Sequence, residues 1–373
     1  MQQENKEYAE TLPLLTESRF SIDRLTMLVY SPGFSMYESD TEKFEDMRGY
    51  QLRDSIKKLI TYFDDMVLKF YDGTEKSRKV LYSMETKLYA YHYRIKDIDI
   101  QFCTKLPKSK RLNDSDFVEI WGNEEDKARG YMYEFYNNAY NIRIEYNPNK
   151  ADISLLAEIL NTLRTGFYKD SYSSEFIRIT RVDFAFDYPE AVNPALVNFR
   201  KSRKYANIGG TQGLETVYYG AQKSTFNLCV YDKKKEYSEK FNIFYPGKCL
   251  WRIELRCHHT WFIHELPGIG HNVLPRIEIF NAGQQTGDYM MDFILMIGLH
   301  WGIRTPLGML PHTTRERYLK AYRTLNLPTI KHPSDLYHES FRTVWDLERD
   351  KILSSFGFEP EKFCSRALSD SQL

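Results

Sequence analysis

The residues best suited to chemistry lie in three segments in which apolar and polar side chains alternate. The first carries Asp183 and Asp187, the second carries Tyr231 and Lys233, and the third carries Glu254. Side chains two residues apart share one face of a strand, so the members of each pair are expected on the same face. The two aspartates are then about 13 Å apart at ~3.3 Å per residue, too far to share one metal ion unless the strand bends.

These residue types suit metal-assisted phosphoryl transfer. Carboxylates bind a hard cation, a tyrosine hydroxyl is a nucleophile, and a lysine stabilises charge that develops on a phosphate. The third segment also presents Arg252 beside Glu254 on its polar face. The same alternation is typical of an ordinary antiparallel sheet with one solvent-facing side, and the spacing alone fits both interpretations.

The elements around these residues predict an α+β fold with a mainly antiparallel sheet and packed helices, followed by a C-terminal helical region. The periodicity predicts strands at 21–30, 87–102, 117–121, 131–146, 176–187, 216–219, 226–232 and 250–256. It predicts helices from 52 to about 67, at 149–166 with Asp152 as the cap, at 194–204, and at 289–301, 313–325 and 333–356.

A short internal similarity suggests a duplicated sheet. IRIEYN at 142–147, WRIELR at 251–256 and RIEIFN at 276–281 share an Arg-Ile-Glu core. Recurrent strand patterns also produce such echoes. The expected organisation is a leader at 1–17, an α+β domain at 18–286 with halves at about 18–150 and 151–286, and a helical region at 287–373.

The composition is that of a folded protein with a sizeable core. The chain has 373 residues, of which 42% are hydrophobic and 27% charged, and its formal net charge is zero. Basic clusters at 105–111, 200–204, 233–235 and 315–323 could contact DNA, although each alone is more typical of a solvated face. The five scattered Cys, the acidic start and the short apolar runs predict a cytoplasmic protein with no membrane partner.

Two other kinds of site are disfavoured. Cys257, His258, His259 and His264 lack a second ligand pair with zinc spacing, and adjacent His residues on a strand face opposite ways. The sequence contains no His-x-His pair and no GxxxxGK[ST] loop, so the chain is not expected to be an ATP-driven helicase.

Three motifs together resemble a known family. TRVDFAFD at 180–187, TVYYGAQKSTFNLCVYDKKKE at 216–236 and WRIELR at 251–256 are similar to the core of the replication-initiation-factor family, and SIDRLTM at 21–27 and RIEYNPNK at 143–150 resemble upstream segments. That family contains rolling-circle replication initiators of Gram-positive plasmids and relaxases of some conjugative transposons. The resemblance spans roughly residues 20–260.

The resemblance implies roles for the residues above. Tyr231 would attack the scissile phosphate, form a 5′-phosphotyrosyl link and release a 3′-hydroxyl primer. Asp183 and Glu254, with Asp187 as a further candidate, would hold Mg²⁺ or Mn²⁺. Position suggests that Lys233 stabilises the phosphate. The candidate DNA contacts are Lys223, Arg252, Arg315, Arg317 and Lys320, and the last three are the reason to expect origin recognition, after nicking at 18–286, in the helical region at 287–373.

The resemblance also implies partners, and it shows two departures. The partners are origin DNA with a hairpin or single-stranded nick site, a host helicase and a second copy of the protein. Cys229 stands where the family carries a basic residue, and Gly220-Ala221 stands in place of a Gly-Ser turn. The expected function is a rolling-circle initiator; the alternatives are a conjugative relaxase acting at a transfer origin and a non-catalytic DNA-binding protein.

Overall fold

The computed structural model of the chain describes residues 9–30, 61–65, 78–81, 89–103, 141–167, 177–210, 213–221, 224–263, 266–280, 286–324 and 330–355. The strands, in chain order, are β1 Glu10–Thr11, β2 Arg19–Tyr30, β3 Arg78–Leu81, β4 Tyr89–Ile95, β5 Ile98–Cys103, β6 Asn141–Tyr146, β7 Ile177–Tyr188, β8 Val197–Phe199, β9 Tyr205–Gly210, β10 Gly213–Tyr219, β11 Phe226–Asp232, β12 Ile243–Phe244, β13 Trp251–Phe262 and β14 Ile277–Ile279.

The helices that bear on the site follow the same order. They are α1 Ile153–Phe167, α2 Lys233–Glu236, α3 Leu266–Val273, α4 Tyr289–Trp301, α5 Arg304–Met309, α6 His312–Thr324 and α7 Pro333–Ser355. A π-helical turn, Tyr237–Phe241, continues directly from α2. Strands and helices are both extensive and most of the strand pairs are antiparallel, which confirms the predicted α+β class.

The chain divides into two compact units that interleave along the sequence. The first contains Met1–Asp23, Val182–His259 and Glu265–Trp345, and the second contains Arg24–Arg181, Thr260–His264 and Asp346–Leu373. Each unit therefore takes part of β2 and part of β7. The sequential domain boundaries expected from the sequence stay predictions, as does the role of the helical region in origin recognition.

The first unit contains the candidate chemistry. Its sheet has the strand order β2-β7-β13-β11-β10-β9. Phe20 of β2 packs against Phe184 of β7, with 5.8 Å between ring centroids, and against Tyr337 of α7, with 5.6 Å. Since Phe20, Phe184 and Tyr337 are buried, this aromatic cluster fixes the strand that carries Asp183.

Three C-terminal helices form a second apolar cluster in the same unit. Met291, Ile294 and Leu295 of α4 pack with Leu307 of α5 and Leu319 of α6. Asp288 caps α4 by accepting hydrogen bonds from the backbone N–H groups of two residues in its first turn.

The second unit contains a sheet of order β3-β4-β5-β6-β2-β7 and helix α1. Asp152 caps α1, because its Oδ1 accepts hydrogen bonds from the backbone N–H groups of Ser154 and Leu155 at 3.1 and 3.2 Å. The predicted cap is therefore confirmed. Tyr146 of β6 donates a buried hydrogen bond of 2.6 Å to Glu348 of α7.

Two local predictions are wrong. The segment 194–204 was expected to be helical, but Pro194–Leu196 forms a single 3-10 turn and β8 follows, because β8 pairs with β14. Lys233 was expected on the same strand face as Tyr231, but the strand ends at its predicted last residue, Asp232, whose side chain accepts from the backbone N–H of Lys235, so Lys233 begins α2. The predicted strand at 117–121 and most of the helix predicted from residue 52 lie outside the described residues.

None of the described helices combines the length and the apolar composition that a membrane span requires.

Candidate active site

The pairing of β11 with β13 positions the central residues. These strands are antiparallel, with Cys229 opposite Glu254 and Tyr231 opposite Arg252. Leu228 and Val230 of β11 are fully buried, so alternation directs Tyr231 to the other face of the strand. Tyr231 and Glu254 are then diagonal neighbours on one face, a separation that a long side chain can bridge.

Tyr231, Glu254 and Lys233 form one contact group. The Tyr231 hydroxyl donates a hydrogen bond to Glu254 Oε2 at 3.0 Å, and Lys233 Nζ lies 3.5 Å from the same hydroxyl oxygen. Glu254 and Lys233 are buried, at 4% and 8% exposure, whereas Tyr231 is partly exposed. The two groups that contact the tyrosine oxygen are therefore held in a low-dielectric surrounding.

Lys233 reaches Tyr231 from a helix rather than from the strand predicted for it. Its Nζ forms a 2.8 Å ion pair with Glu236, one turn along α2. It lies 5.5 Å from the centroid of the Tyr231 ring and 4.8 Å from that of Tyr237. The ammonium group is therefore close to both tyrosines.

The surroundings of Tyr231 disfavour its ionised form. Burial and the Glu254 carboxylate raise the pKa of Tyr231 well above its ordinary 10.0, although Arg252 acts in the opposite direction. Burial and Arg252 lower the pKa of Lys233, and the Glu236 carboxylate partly offsets that shift. In this arrangement the tyrosine is neutral at physiological pH, so a nucleophilic role requires a proton acceptor or a cation beside its oxygen.

Asp187 and Arg252 form a buried, bidentate ion pair. Arg252 Nε lies 2.6 Å from Asp187 Oδ1, and Nη2 lies 2.8 Å from Oδ2. Arg252 also pairs with Asp23 at 3.1 Å. Both oxygens of Asp187 and most of the guanidinium are thus engaged within the protein. The roles of Asp187 in metal binding and of Arg252 in DNA binding stay predictions, and this pairing favours a structural role for both.

Asp183 and Glu254 lie near a common cation, Arg256. Arg256 Nε is 2.5 Å from Glu254 Oε1, and the guanidinium also interacts electrostatically with Asp183. Both carboxylates are almost fully buried. Among the described residues, no group of three or more His, Cys, Asp or Glu converges in a manner that could hold a metal ion. Two carboxylates that already share a cation nevertheless provide the hard oxygen donors that Mg²⁺ or Mn²⁺ prefers, and such ions retain several waters.

The remaining predicted DNA contacts lie apart from this group. Arg315, Arg317 and Lys320 are on α6, where Arg317 and Lys320 are exposed, and none of them contacts Tyr231 within the described part of the chain. Lys223 lies outside the described residues.

Three residues of the site were missed in the sequence. Arg256 and Glu236 each lie within three residues of a predicted site residue on the same element, so strand or helix spacing could have identified them. Asp23 contacts Arg252 from a distant strand, and no local pattern signals it.

The two departures from the family motif have defined structures. Cys229 is buried, and burial together with Glu254 raises the pKa of its thiol to about 12, so the thiol stays neutral and cannot replace the positive charge of a basic residue. Gly220 has φ +97°, and a Cβ there would lie 2.5 Å from Asn227 Oδ1, so only glycine fits. Ser224 closes the turn by accepting a 2.9 Å hydrogen bond from the backbone N–H of Ala221.

The fold and the site thus define an α+β protein with a tyrosine and buried carboxylates on one sheet surface and a lysine that reaches the tyrosine from the adjoining helix. No family model matches the chain. The chain is similar to replication initiation proteins of Staphylococcus aureus. One of them is 26% identical over 149 residues, which cover 40% of this chain and 42% of the relative. Another is 23% identical over 223 residues, which cover 59% of this chain and 63% of the relative. The matches span less than two thirds of these relatives.

A solved structure of a rolling circle replication initiator protein from Geobacillus stearothermophilus also aligns with the chain. The alignment covers 82% of this chain and 97% of that one, with 12% sequence identity and a TM-score of 0.34. The curated relatives confirm the resemblance to replication initiators that the sequence motifs indicated.

Proposed function

We propose that this protein initiates rolling-circle DNA replication by nicking and rejoining one strand of an origin through Tyr231. The observation that carries the proposal is the contact group itself. The hydroxyl of a partly exposed tyrosine lies 3.0 Å from the carboxylate of a buried glutamate and 3.5 Å from the ammonium of a buried lysine. The similarity to replication initiation proteins supplies the substrate, an origin in DNA.

The proposed reaction is a transesterification. Tyr231 Oη attacks the phosphorus of the scissile phosphodiester, a bond forms between Oη and phosphorus, and the bond from phosphorus to O3′ breaks. The tyrosine loses its proton, for which Glu254 Oε2 is the nearest acceptor, and the departing O3′ takes up one proton. One phosphodiester replaces another, so no ATP is consumed and the reverse reaction rejoins the strand.

Three side chains that are already in contact with one another or with Tyr231 would contribute to the reaction. Glu254 orients the Tyr231 hydroxyl and accepts its proton, and Lys233 faces the charge that develops on the phosphate. Arg256 holds Glu254 in place through its 2.5 Å contact. Asp183 and Glu254, with Asp187 as the further predicted ligand, would hold Mg²⁺ or Mn²⁺, which when bound polarises the phosphoryl oxygens and favours the phenolate.

The proposed partners follow from the reaction. Origin DNA would present its nick site as a hairpin loop or single strand, a host helicase would unwind from the nick, and a second copy could act at the return step. The same chemistry would serve a relaxase at a transfer origin.

The test is a covalent adduct. The full chain is incubated with supercoiled plasmid that carries its own origin, with and without Mn²⁺. We expect nicked circles and a protein–DNA adduct that survives denaturation. Tyr231→Phe removes one oxygen and should bind the origin with unchanged affinity but form no adduct. A wild-type protein that binds the origin and never nicks it would instead be a non-catalytic DNA-binding protein.

A further inference from the structure

A basic cavity lies at one end of the strand that carries Tyr231. It encloses about 360 Å³, within the range of small-ligand sites, and it opens at the turn between β10 and β11. Of the described residues that line it, five are Arg or Lys and none is Asp or Glu. These cations are Arg200, Lys201, Arg203, Lys204 and Arg276.

Most of this charge is not neutralised within the protein. Lys201, Arg203 and Lys204 form no ion pair with another residue in the part of the chain that the structure describes, and all three are exposed. Arg200 is the exception, because its Nε lies 3.4 Å from Glu278 Oε1. Like charges held together without counterions repel each other, so the cavity favours an anion.

The backbone that presents these cations is fixed from the interior. Arg304 of α5 donates a hydrogen bond to the backbone carbonyl of Ser202 and a second, 3.5 Å long, to that of Phe199. The same guanidinium lies 5.7 Å from the ring centroid of Tyr219. Lys201 has a left-handed backbone with φ 64°, which non-glycine residues rarely adopt without a surrounding that imposes it. The turn is thus held in a shape that directs several cations into one space.

The cavity lies at a definite distance from the proposed nucleophile. Phe226 lines it and begins β11, and Arg276 lies over the Phe226 ring at 5.9 Å. Tyr231 is five residues further along, about 17 Å at ~3.3 Å per residue, and an odd separation places the two side chains on opposite faces. B-form DNA rises ~3.4 Å along its axis for each nucleotide of one strand, so this distance corresponds to roughly five nucleotides of duplex length.

We propose that this cavity binds a phosphate of the DNA backbone that flanks the nick site, separately from the scissile phosphate at Tyr231. A phosphodiester has the charge that the cavity favours, and an adjoining sugar or base can contact the partly exposed ring of Phe226. Such an anchor holds the substrate while the bond at Tyr231 breaks and re-forms. The proposal rests on the proposed function in one respect, that DNA is the substrate.

The test measures binding without chemistry. In a full-length Tyr231→Phe background, Lys201→Ala/Lys204→Ala is compared with Lys150→Ala/Lys248→Ala, which removes two exposed lysines elsewhere. Fluorescence anisotropy of a labelled single-stranded origin oligonucleotide is followed over a salt series. We expect the dissociation constant of the cavity variant to rise about tenfold, and the slope of log affinity against log salt to fall by about 0.7, the value for one phosphate of a single strand that the variant no longer neutralises.

A second variant guards against a folding effect. Arg276→Gln removes a cation from another segment of the chain and leaves the 199–204 turn intact, and it should weaken binding in the same direction. Equal affinity and slope in the cavity variants and the control would overturn the proposal. So would micromolar binding of ATP or inorganic phosphate to the cavity that does not compete with the oligonucleotide. Failure of Tyr231 as nucleophile would appear only in the adduct assay, so the two failures are distinguishable.

Discussion

The Tyr231 hydroxyl donates a 3.0 Å hydrogen bond to a glutamate, Glu254, that is itself held by Arg256 at 2.5 Å. This chain of contacts joins the proposed nucleophile to a buried carboxylate whose other oxygen is already occupied. The geometry places a proton acceptor at the tyrosine oxygen. It also places the residue expected to bind metal in direct contact with the residue expected to react.

Removal of either buried carboxylate should abolish nicking and spare DNA binding. Glu254→Gln keeps the shape and loses both the proton acceptor and the anionic ligand, and Asp183→Asn does the same at the neighbouring position. We expect nicking rates to fall by at least ~100-fold, the usual size of an acid–base contribution, while origin affinity changes by a few-fold. Single-turnover nicking in Mg²⁺ and in Mn²⁺ measures this.

Glu215→Gln is the matched control, since Glu215 lies on β10 and pairs with Lys235 at a more exposed position. It should nick like the wild type. Full activity of both the Asp183 and Glu254 variants would remove the metal and proton-transfer assignments together.

Lys233 should lower the stability of the folded protein at neutral pH and accelerate nicking. Burial lowers its pKa from the ordinary 10.5, so its charged form is disfavoured in the fold. Between the lowered pKa and pH 10.5 the unfolded chain binds more protons at this lysine than the folded chain, so its contribution makes stability rise with pH in that window. Lys233→Met lacks this contribution. We expect its stability at pH 7 to equal or exceed that of the wild type, with nicking at least ~10-fold slower.

Chemical denaturation of the wild type and of Lys233→Met at pH 7 and at alkaline pH tests the sign. The stability difference between the two proteins should shrink as pH rises. A variant that is destabilised at pH 7 and nicks at the wild-type rate would show that Lys233 acts only through its ion pair with Glu236.

The Asp187–Arg252 pair should contribute mainly to stability. Both residues are buried and joined by two hydrogen bonds, so Asp187→Ala leaves a buried guanidinium with only Asp23 as its anionic partner. Loss of one member of a buried pair costs about 3–5 kcal/mol. Lys235→Ala breaks a more exposed pair with Glu215 and should destabilise the protein much less. Urea denaturation compares them; a greater than ~100-fold loss of nicking at unchanged stability would instead assign Asp187 to the metal.

Strand periodicity was sufficient to predict much of this site. Leu228 and Val230 alternate with Cys229 and Tyr231 over a strand whose predicted and observed bounds agree, so the face of Tyr231 followed directly. The diagonal contact with Glu254 also follows from two adjacent strands once their register is known. The alternation of core-facing and outward-facing side chains along a strand depends on consecutive residues, so it can be predicted from the sequence.

Other features depend on tertiary contacts that consecutive residues do not encode. Asp183 and Asp187 were expected on a polar sheet surface, but both are about 3% exposed, and Asp187 is paired there with the buried Arg252. The composition of the segment 194–204 favours a helix, but its residues Val197–Phe199 form the strand β8 because they pair with β14. Lys233 lies on a helix and not on the predicted strand face, because the Asp232 side chain caps a helix at that point. The residue pattern alone does not determine whether the strand continues or the helix begins there.

The exposed basic residues of α6 offer a test of origin choice. Removal of the whole helical region is unsuitable, because Tyr337 of α7 packs against Phe20 and Phe184 in the core of the same unit. Arg317→Ala/Lys320→Ala preserves that core. We expect the preference for the protein's own duplex origin over unrelated duplex to fall at least several-fold, with cleavage of single-stranded origin DNA retained. Lys150→Ala/Lys248→Ala is the charge-matched control, and equal selectivity in both would place origin recognition elsewhere.

The final prediction concerns which tyrosine reacts. Tyr237 is the serious rival to Tyr231, because β11 ends at Asp232 and the turn that follows brings the Tyr237 ring within 4.8 Å of Lys233 Nζ. Burial raises the pKa of both hydroxyls, but Tyr231 alone of the two donates a hydrogen bond to a carboxylate in the described part of the chain. We therefore expect the covalent adduct with a labelled origin oligonucleotide to map to Tyr231 after proteolysis. Tyr237→Phe should keep adduct formation within a few-fold of the wild type, and Tyr231→Phe should abolish it. A phosphotyrosyl peptide centred on Tyr237, or an adduct that persists in Tyr231→Phe, would transfer the nucleophile to the π-helical turn and leave Glu254 without its proposed role.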